Sequence, residues 1–357
     1  MIRVRCLFCE IEIRSSAPVI APVFAFQGWS AVYLTHSGLI FIRHSLISGL
    51  NRVSLSHQFQ ESGEKPTSYM AQTIKLIYQT AKVRLGFLIM ACALAGIAVS
   101  PGNELSSWQV LVLGLAVLVS SSVSGAFNQL YERDLDARMK RTRGRAFVTG
   151  KLRANWYWLT VLTVLLIASL VAAALATNVA AAIYIFLGAF TYGIVYTVWL
   201  KTRAWMNIVI GGLAGSFAVM AGAAATEATL APAPLILAMV LFLWTPPHFW
   251  ALAFACKKDY AAAGVPMLPV VASEALSTGT ILAHAIVLVV LSLLPVWYGM
   301  SWIYFIGALS GGAFFVYASV RLYLEPSVSL AWRTFAASIV QLGLLLTAAI
   351  LDHVLLA

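Results

Sequence analysis

Apolar residues run along this chain in long blocks, not in strict alternation. From residue 85 onward, stretches of about 20 mainly apolar residues recur with short polar breaks, the length an α-helix needs to cross bilayer hydrocarbon. Nine such runs fall at roughly 85–100, 109–130, 155–176, 179–200, 207–226, 233–255, 278–298, 302–322 and 334–354. The pattern predicts an all-α, polytopic membrane bundle of about nine transmembrane helices over residues 70–357. Ala and Gly are frequent within the runs, and small residues let helix backbones approach closely in lipid. Residues 1–69 differ, with dispersed charge, many Ser, and Pro-interrupted apolar stretches such as Ala17–Phe26. They read as an amino-terminal extension: poorly structured, a targeting segment, or a misassigned start ahead of Met70. We expect them to be dispensable.

Composition agrees with the pattern. Hydrophobic residues make up 61% of the chain and charged residues only 10%, where soluble domains carry about a quarter charged. The net charge of +10 suits a nucleic-acid binder until its distribution is considered. After residue 69, every Lys and Arg falls on one side of the nine-span arrangement: Lys75, Lys82, Arg84, the 133–153 loop, Lys201, Arg203, Lys257, Lys258, Arg321 and Arg333. The opposite loops hold none. This is the positive-inside bias; it places the basic side in the cytoplasm and implies a membrane-lipid environment with no nucleic-acid partner. Cys6 and Cys9 form a lone CxxC with no second pair at zinc-ribbon spacing, which favours chance over metal. Cys92 and Cys256 read as small packing residues.

Three of the nine acids that follow residue 69 cluster in Asn128-Gln-Leu-Tyr-Glu132-Arg-Asp134-Leu-Asp136, and a basic run follows immediately. In a helical end to the second span, Asn128, Glu132 and Asp136 share a face at i, i+4, i+8, with Asp134 displaced from it. Asn128 and Asp136 then lie about 12 Å apart along the axis, too far to ligate one ion together. Oxygen donors at this spacing suit Mg2+, which keeps waters and shares substrate phosphate oxygens, and two ions fit along the face. Arg141 and Arg145, again i+4 apart, can hold phosphate oxygens bidentately, with Lys140 or Arg143 adding charge. The plain alternative is that the bases only obey the positive-inside rule and the acids neutralise them. Acids at a membrane edge are costly and usually functional, which favours a metal-diphosphate site.

The segment from Asn128 to Arg145 resembles the first aspartate-rich motif of the UbiA-type intramembrane prenyltransferases. The continuation Met139-x-Arg141-Thr142-x-x-Arg145 narrows the resemblance to the branch that farnesylates protohaem IX. Two further segments are similar to the same branch: Asn207 to Gly215, at the start of the fifth span, and Leu243 to Pro269, covering the sixth span and the loop after it. Within the latter, Phe254-x-x-x-Lys258-Asp259 occupies the family's second polar site, with Phe where Tyr is usual. Other departures are Lys82-Val83 in place of Lys-Pro, Glu132 in place of Asp, and Phe217–Val219 where a Pro-Pro pair is common.

The resemblance implies a UbiA-like fold, Mg2+ as cofactor, farnesyl diphosphate as donor and haem b as acceptor. It implies metal binding by Asn128, Glu132, Asp136 and Asp259, and diphosphate binding by Lys258, Arg141, Arg145 and Lys140. His248, after Pro246-Pro247 in a span whose helical hydrogen bonding the prolines disturb, becomes a catalytic candidate that contacts the porphyrin, ligates its iron or moves a proton. A packed hydrogen-bonding role is the plain alternative. Trp244, Trp250 and Tyr192, with Phe249 and Tyr196, can turn π-faces to a carbocation, or simply pack. His284 and His353 lack motif context. The resemblance further implies the bacterial inner membrane, with haem a synthase or oxidase assembly factors as protein partners. Competing readings are a UbiA-type enzyme using a quinone precursor, a transporter, and a haem-binding chaperone; neither non-enzyme accounts for acidic and basic motifs on two loops of one side.

Overall fold

The computed structural model describes the backbone of residues 2–6, 9–13, 19–22, 29–35, 38–43 and 66–356, and the side chains of 71–356. The chain divides into two compact units, Met1–Ile74 and Lys75–Ala357. In the first, β1 (Ile2–Cys6) pairs antiparallel with β2 (Cys9–Ile13), and β4 (Trp29–Thr35) lies between β3 (Val19–Pro22) and β5 (Gly38–Arg43), antiparallel to both. Cys6 and Cys9 face each other in the backbone register of the first pair, and the CxxC side chains lie outside the described residues.

The second unit is helical. After α1 (Pro66–Thr80) come α2 (Val83–Ala98), α3 (Ser107–Tyr131), α4 (Trp156–Ala176), and α5 (Val179–Phe190), which continues as a π-helix over Thr191–Leu200. Then follow α6 (Asn207–Ala225, broken briefly at Gly212), α7 (Pro232–Ala255), α8 (Glu274–Leu293, continuing as a 3₁₀ turn to Tyr298), α9 (Trp302–Leu324) and α10 (Val328–Leu356). Eight of these segments, α3 to α10, are long and apolar enough to span a membrane, and Ala71–Thr80 with α2 makes a ninth, bent by 51°. Two predicted spans begin late: α8 starts at residue 274 and α10 at 328, because polar interfacial residues such as Ser277, Thr278, Ser329 and Arg333 continue the helix beyond the hydrocarbon.

The order of the spans puts the ends of α3, α5, α7 and α9 at one end of the bundle, together with the starts of α2, α4, α6, α8 and α10. This motif end carries the basic residues. At the other end, Asn178 and Ser301 cap α5 and α9, and Asp352 of α10 accepts from the backbone N–H groups of Ser301 and Tyr304. Close packing rests on glycine: a Cβ on Gly96 of α2 would lie 2.2 Å from the Val219 carbonyl oxygen of α6, and one on Gly222 of α6 would lie 2.1 Å from the Ala93 carbonyl oxygen of α2. Thus α2 and α6 touch backbone to backbone, and both line the interior described below.

Candidate active site

The acidic motif does not continue α3 as a single helix. The helix ends at Tyr131, Glu132 caps it, and a separate four-residue turn covers Arg133–Asp136. The facing expected from sequence nevertheless holds: Asn128, Glu132 and Asp136 are buried, while the Asp134 side chain is 84% exposed and reaches only Arg133. Asp134 therefore lies outside the site.

Each buried member meets a base or a hydroxyl. Glu132 Oε2 is 2.5 Å from Lys201 Nζ, and Asp136 Oδ2 accepts from Arg145 Nη1 at 2.6 Å. Asn128 Oδ1 accepts from Lys82 Nζ at 2.6 Å, and its Nδ2 donates to Thr197 Oγ1 at 3.0 Å. Lys82 Nζ also donates to the Tyr192 hydroxyl at 3.0 Å. Lys82 sits in the bend before α2 with φ of 50°, a left-handed conformation that costs a non-glycine residue of order 1–3 kcal/mol and points to function when observed. Gly125 of α3 makes room for it, since a Cβ there would lie 3.2 Å from Lys82 Cβ.

The π-helix explains why Tyr192, Tyr196, Thr197 and Lys201 meet at one place. Its backbone bonds join residues five apart, as Lys201 N–H does to the Tyr196 carbonyl at 2.9 Å, and the Thr197 side chain adds a bond from Oγ1 to the Tyr192 carbonyl at 2.8 Å. Five residues of α-helix would turn Lys201 well away from Tyr196; the wider π turn keeps them stacked, with Nζ 5.7 Å from the ring centre. π-Helical turns inside spans are found mostly at functional sites.

The second loop reaches the same place through Tyr260, not through Lys258. Burial raises the Tyr260 phenol above its ordinary pKa, while the charge and hydrogen bond of Arg141 pull it back. Tyr260 packs with Met139 and Tyr196. Asp259 is half-buried and ion-paired with no described residue, and Lys258, Lys140 and Arg141 are exposed at the rim. Arg145 is held by Asp136, not free to clamp a ligand on its own.

Among the described residues no three of His, Cys, Asp and Glu converge on one point, so a cage of protein ligands is not present. The donors still fit a phosphate-bridged Mg2+. Glu132 keeps Oε1 buried without any hydrogen-bond partner, an acceptor that a hard cation satisfies, and Mg2+ takes one or two carboxylates while retaining water and phosphate oxygens. In this cluster Lys82, Lys201, Arg141 and Arg145 outnumber Glu132 and Asp136. The balance suits an anion.

Below the cluster lies a cavity of about 290 Å³ with mainly apolar walls, lined from α2, α3, α5, α6, α7 and α10. Tyr192 belongs to both: its ring lines the cavity and its hydroxyl meets Lys82. Ser120 and Ser124 continue the Asn128 face of α3 along the wall. Farther in, His248 lies between Trp244 and Phe335, with ring centres 4.2 and 4.5 Å away. Its Nδ1 is 2.7 Å from Ser338 Oγ, and that hydroxyl donates to the Phe335 carbonyl, also at 2.7 Å. A hydroxyl proton given to Phe335 favours the tautomer with the imidazole proton on Nδ1 and the lone pair on Nε2. Trp244 lines the cavity and donates Nε1 to the Ser338 carbonyl at 2.9 Å. Trp250 does not line it: it is buried in a separate cluster with Phe254 and Ile281, its edge against His284.

The sequence reading singled out neither Lys82 nor Lys201 as a site residue, nor Thr197, Tyr260 or Ser338. A lysine at the very end of an apolar run was the available signal, because a charge at that depth needs a reason.

The UbiA prenyltransferase family matches residues 89–343. Protoheme IX farnesyltransferase 2 of Paramagnetospirillum magneticum is 50% identical over 286 residues, covering 80% of this chain and 99% of that protein. Protoheme IX farnesyltransferase 1 of the same organism is 41% identical over 283 residues, 78% of this chain and 99% of that one. Among solved structures, digeranylgeranylglyceryl phosphate synthase superposes with a TM-score of 0.65 at 19% identity, over 79% of this chain and 99% of its own. A UbiA homolog from Archaeoglobus fulgidus bound to GPP and Mg2+ gives 0.54 at 15% identity, over 76% and 99%. At those identities the structures speak for the fold alone.

Proposed function

The chain belongs to the UbiA prenyltransferase family, and from that premise we propose that it transfers the farnesyl group of farnesyl diphosphate to a vinyl group of protohaem IX, forming haem o and releasing diphosphate. The observation that carries this reading is Tyr192, which joins a base-rich polar cluster to an apolar cavity holding a histidine. Diphosphate chemistry needs the first, a long prenyl chain and a porphyrin need the second, and the transfer needs them to touch. The active end faces the cytoplasm, in keeping with the bases gathered there, and in a bacterium the enzyme lies in the inner membrane.

In this mechanism the diphosphate lies among Lys82, Lys201, Arg141 and Arg145, with exposed Lys140 and Lys258 drawing it in from solvent. Glu132 and Asp136 would hold Mg2+, with Asn128 and Asp259 as further oxygen donors. When bound, the ion supplies positive charge that makes diphosphate a better leaving group. The chain's own bases act in the same direction: as the allylic C–O bond breaks, charge grows on the departing oxygens, and fixed ammonium and guanidinium groups stabilise it. The apolar walls keep bulk water from the farnesyl cation, and the ring of Tyr192 lies where that cation forms.

The terminal vinyl carbon of the haem then bonds to C1 of the farnesyl group. The adjacent carbon becomes the cation, takes up one water, and loses a proton. Donor, haem and water thus become haem o, diphosphate and one proton. His248, with its proton fixed on Nδ1, offers Nε2 to the haem iron or to that proton. Mass spectrometry of haem extracted from cells with and without the protein tests donor and acceptor together. Farnesylated haem is expected only with it. Prenylated 4-hydroxybenzoate, with haem b untouched by the purified protein, would instead assign it to the quinone-precursor branch.

A further inference from the structure

At the motif end, α9 and α10 part slightly and leave a groove of about 370 Å³. Deeper in the bundle the same two helices are tightly joined, with Gly311 against Gln341 and Gly307 against Ala348. Small residues line the groove, buried Ala318 on one helix and exposed Ala336 and buried Ala337 on the other. Its two sides are polarised alike. Going from the motif end inward, α9 presents Arg321, then Tyr317, then Phe314, while α10 presents Arg333 and then Val340. Each run spans seven residues, about 10 Å of helix.

The two arginines differ from those of the acidic motif. Arg333 makes no hydrogen bond or ion pair with any described residue. Arg321 holds Glu325, at 3.2 Å, and the Tyr317 hydroxyl, and the Arg321 and Glu325 side chains are well exposed, 43% and 69%; a pair of that kind contributes little and rearranges readily. Arg321, Glu325 and Arg333 together leave one positive charge unmatched at the mouth of the groove. Phe314, Tyr317 and Val340 are among the more exposed apolar side chains of the bundle, as expected for a wall that faces lipid.

We propose that this groove is a binding site for an anionic phospholipid, whose phosphodiester lies between Arg321 and Arg333 and whose acyl chain lies over Ala318, Ala336 and Ala337. A phosphodiester carries the single negative charge the mouth lacks, guanidinium forks match phosphate oxygens, and basic pockets between spans are where lipid head groups bind. The site lies across the bundle's α9–α10 seam and shares no lining residue with the prenyl cavity. It therefore does not rest on the prenyl-transfer reading.

The test uses the full chain purified in neutral detergent and titrated with dioleoyl phosphatidylglycerol, dioleoyl phosphatidylcholine, or inorganic phosphate, with the thermal midpoint as readout. Phosphatidylglycerol is expected to raise the midpoint at lower concentration than phosphatidylcholine does. In the Arg321→Gln/Arg333→Gln variant its affinity should fall roughly thirtyfold, while the phosphatidylcholine response and prenyl transfer in phosphatidylcholine vesicles stay unchanged. A second readout needs no arginine variant: Trp332, exposed next to Arg333, should be quenched by chain-brominated phosphatidylglycerol more than by brominated phosphatidylcholine, judged against Trp332→Phe. Equal responses to the two lipids, or selectivity that survives the double substitution, overturn the proposal. So does inorganic phosphate that matches the whole effect of phosphatidylglycerol.

Discussion

Lys201 and Glu132, 69 positions apart in sequence, meet at 2.5 Å at the mouth of the cavity, and the second oxygen of that carboxylate has no partner. Lys201→Met leaves a buried carboxylate wholly unpaired, and losing one partner of such a pair costs on the order of 3 kcal/mol. We expect Lys201→Met to melt early and to lose prenyl transfer. Adding Glu132→Gln should recover most of the stability and none of the activity. A double-mutant cycle in thermal midpoint, run beside a turnover assay, checks both halves; recovery of turnover would remove Glu132 from the site.

Asp136 is matched to Arg145 and nearly inaccessible. Asp136→Asn keeps an oxygen for Arg145 to donate to but loses the negative charge. The fold should persist while prenyl transfer drops on the order of a thousandfold or more. Asp136→Ala should behave alike in activity, with a lower midpoint because Arg145 loses its partner. Substantial turnover in either variant rules out a metal-diphosphate role for Asp136. Asp134→Ala serves as the control and should change neither quantity.

Much of this was legible in the sequence, for reasons that also mark its limit. Hydropathy reports hydrocarbon, so the spans could be placed but not the interfacial turns that open α8 and α10. The i+4 spacing separated Asp134 from Asn128, Glu132 and Asp136, because side-chain direction follows the helical period even across the break after Tyr131. The pairing of the lysines was not legible: Lys82 sits in the bend before α2 and Lys201 just past the π-helix, and α- and π-helical turns of the same apolar residues have the same hydropathy. Trp250 shows the converse. It belongs to a motif segment, yet two steps of about 100° along α7 turn it to the side opposite His248.

His248 depends on Ser338 for its tautomer. Removing the hydroxyl with Ser338→Ala frees the ring to place its proton on either nitrogen. We expect kcat to fall about tenfold, as when an outer-shell partner of a ligating histidine is lost, with KM for farnesyl diphosphate unchanged. His248→Ala should abolish transfer to haem. If Nε2 ligates the iron, it should also shift the Soret band of added haem. An unchanged band with turnover lost would assign His248 to the proton, and unchanged turnover would return it to packing.

Lys75–Ala357 is a compact unit by itself, and the described cluster and cavity are built from its side chains. A chain beginning at Met70 is expected to insert and to retain turnover within about twofold of the full chain, since a compact unit with its own core can fold alone. Loss of activity in a chain that still inserts would show that the extension takes part.

The contact between α2 and α6 offers a test of how the cavity is held open. Gly96 and Gly222 leave no space for a Cβ, and the atoms that block it are backbone carbonyls of the facing helix, which cannot rotate aside as a side chain can. Gly222→Ala must therefore push the helices apart, and overpacking of this kind costs about 1–3 kcal/mol. The same two helices line the cavity through Leu88 and Cys92 on one and Ala214 and Ala218 on the other, so the displacement reaches the substrate. The polar cluster belongs chiefly to α3 and α5 and should be less disturbed. Gly222→Ala should thus lower the midpoint and raise KM for haem, with KM for farnesyl diphosphate changed less. Gly343→Ala is the control, with nothing within 4 Å of its added Cβ; a helical Gly→Ala change there should stabilise if anything. Equal effects of the two substitutions would mean that helix propensity, not contact between α2 and α6, sets the response.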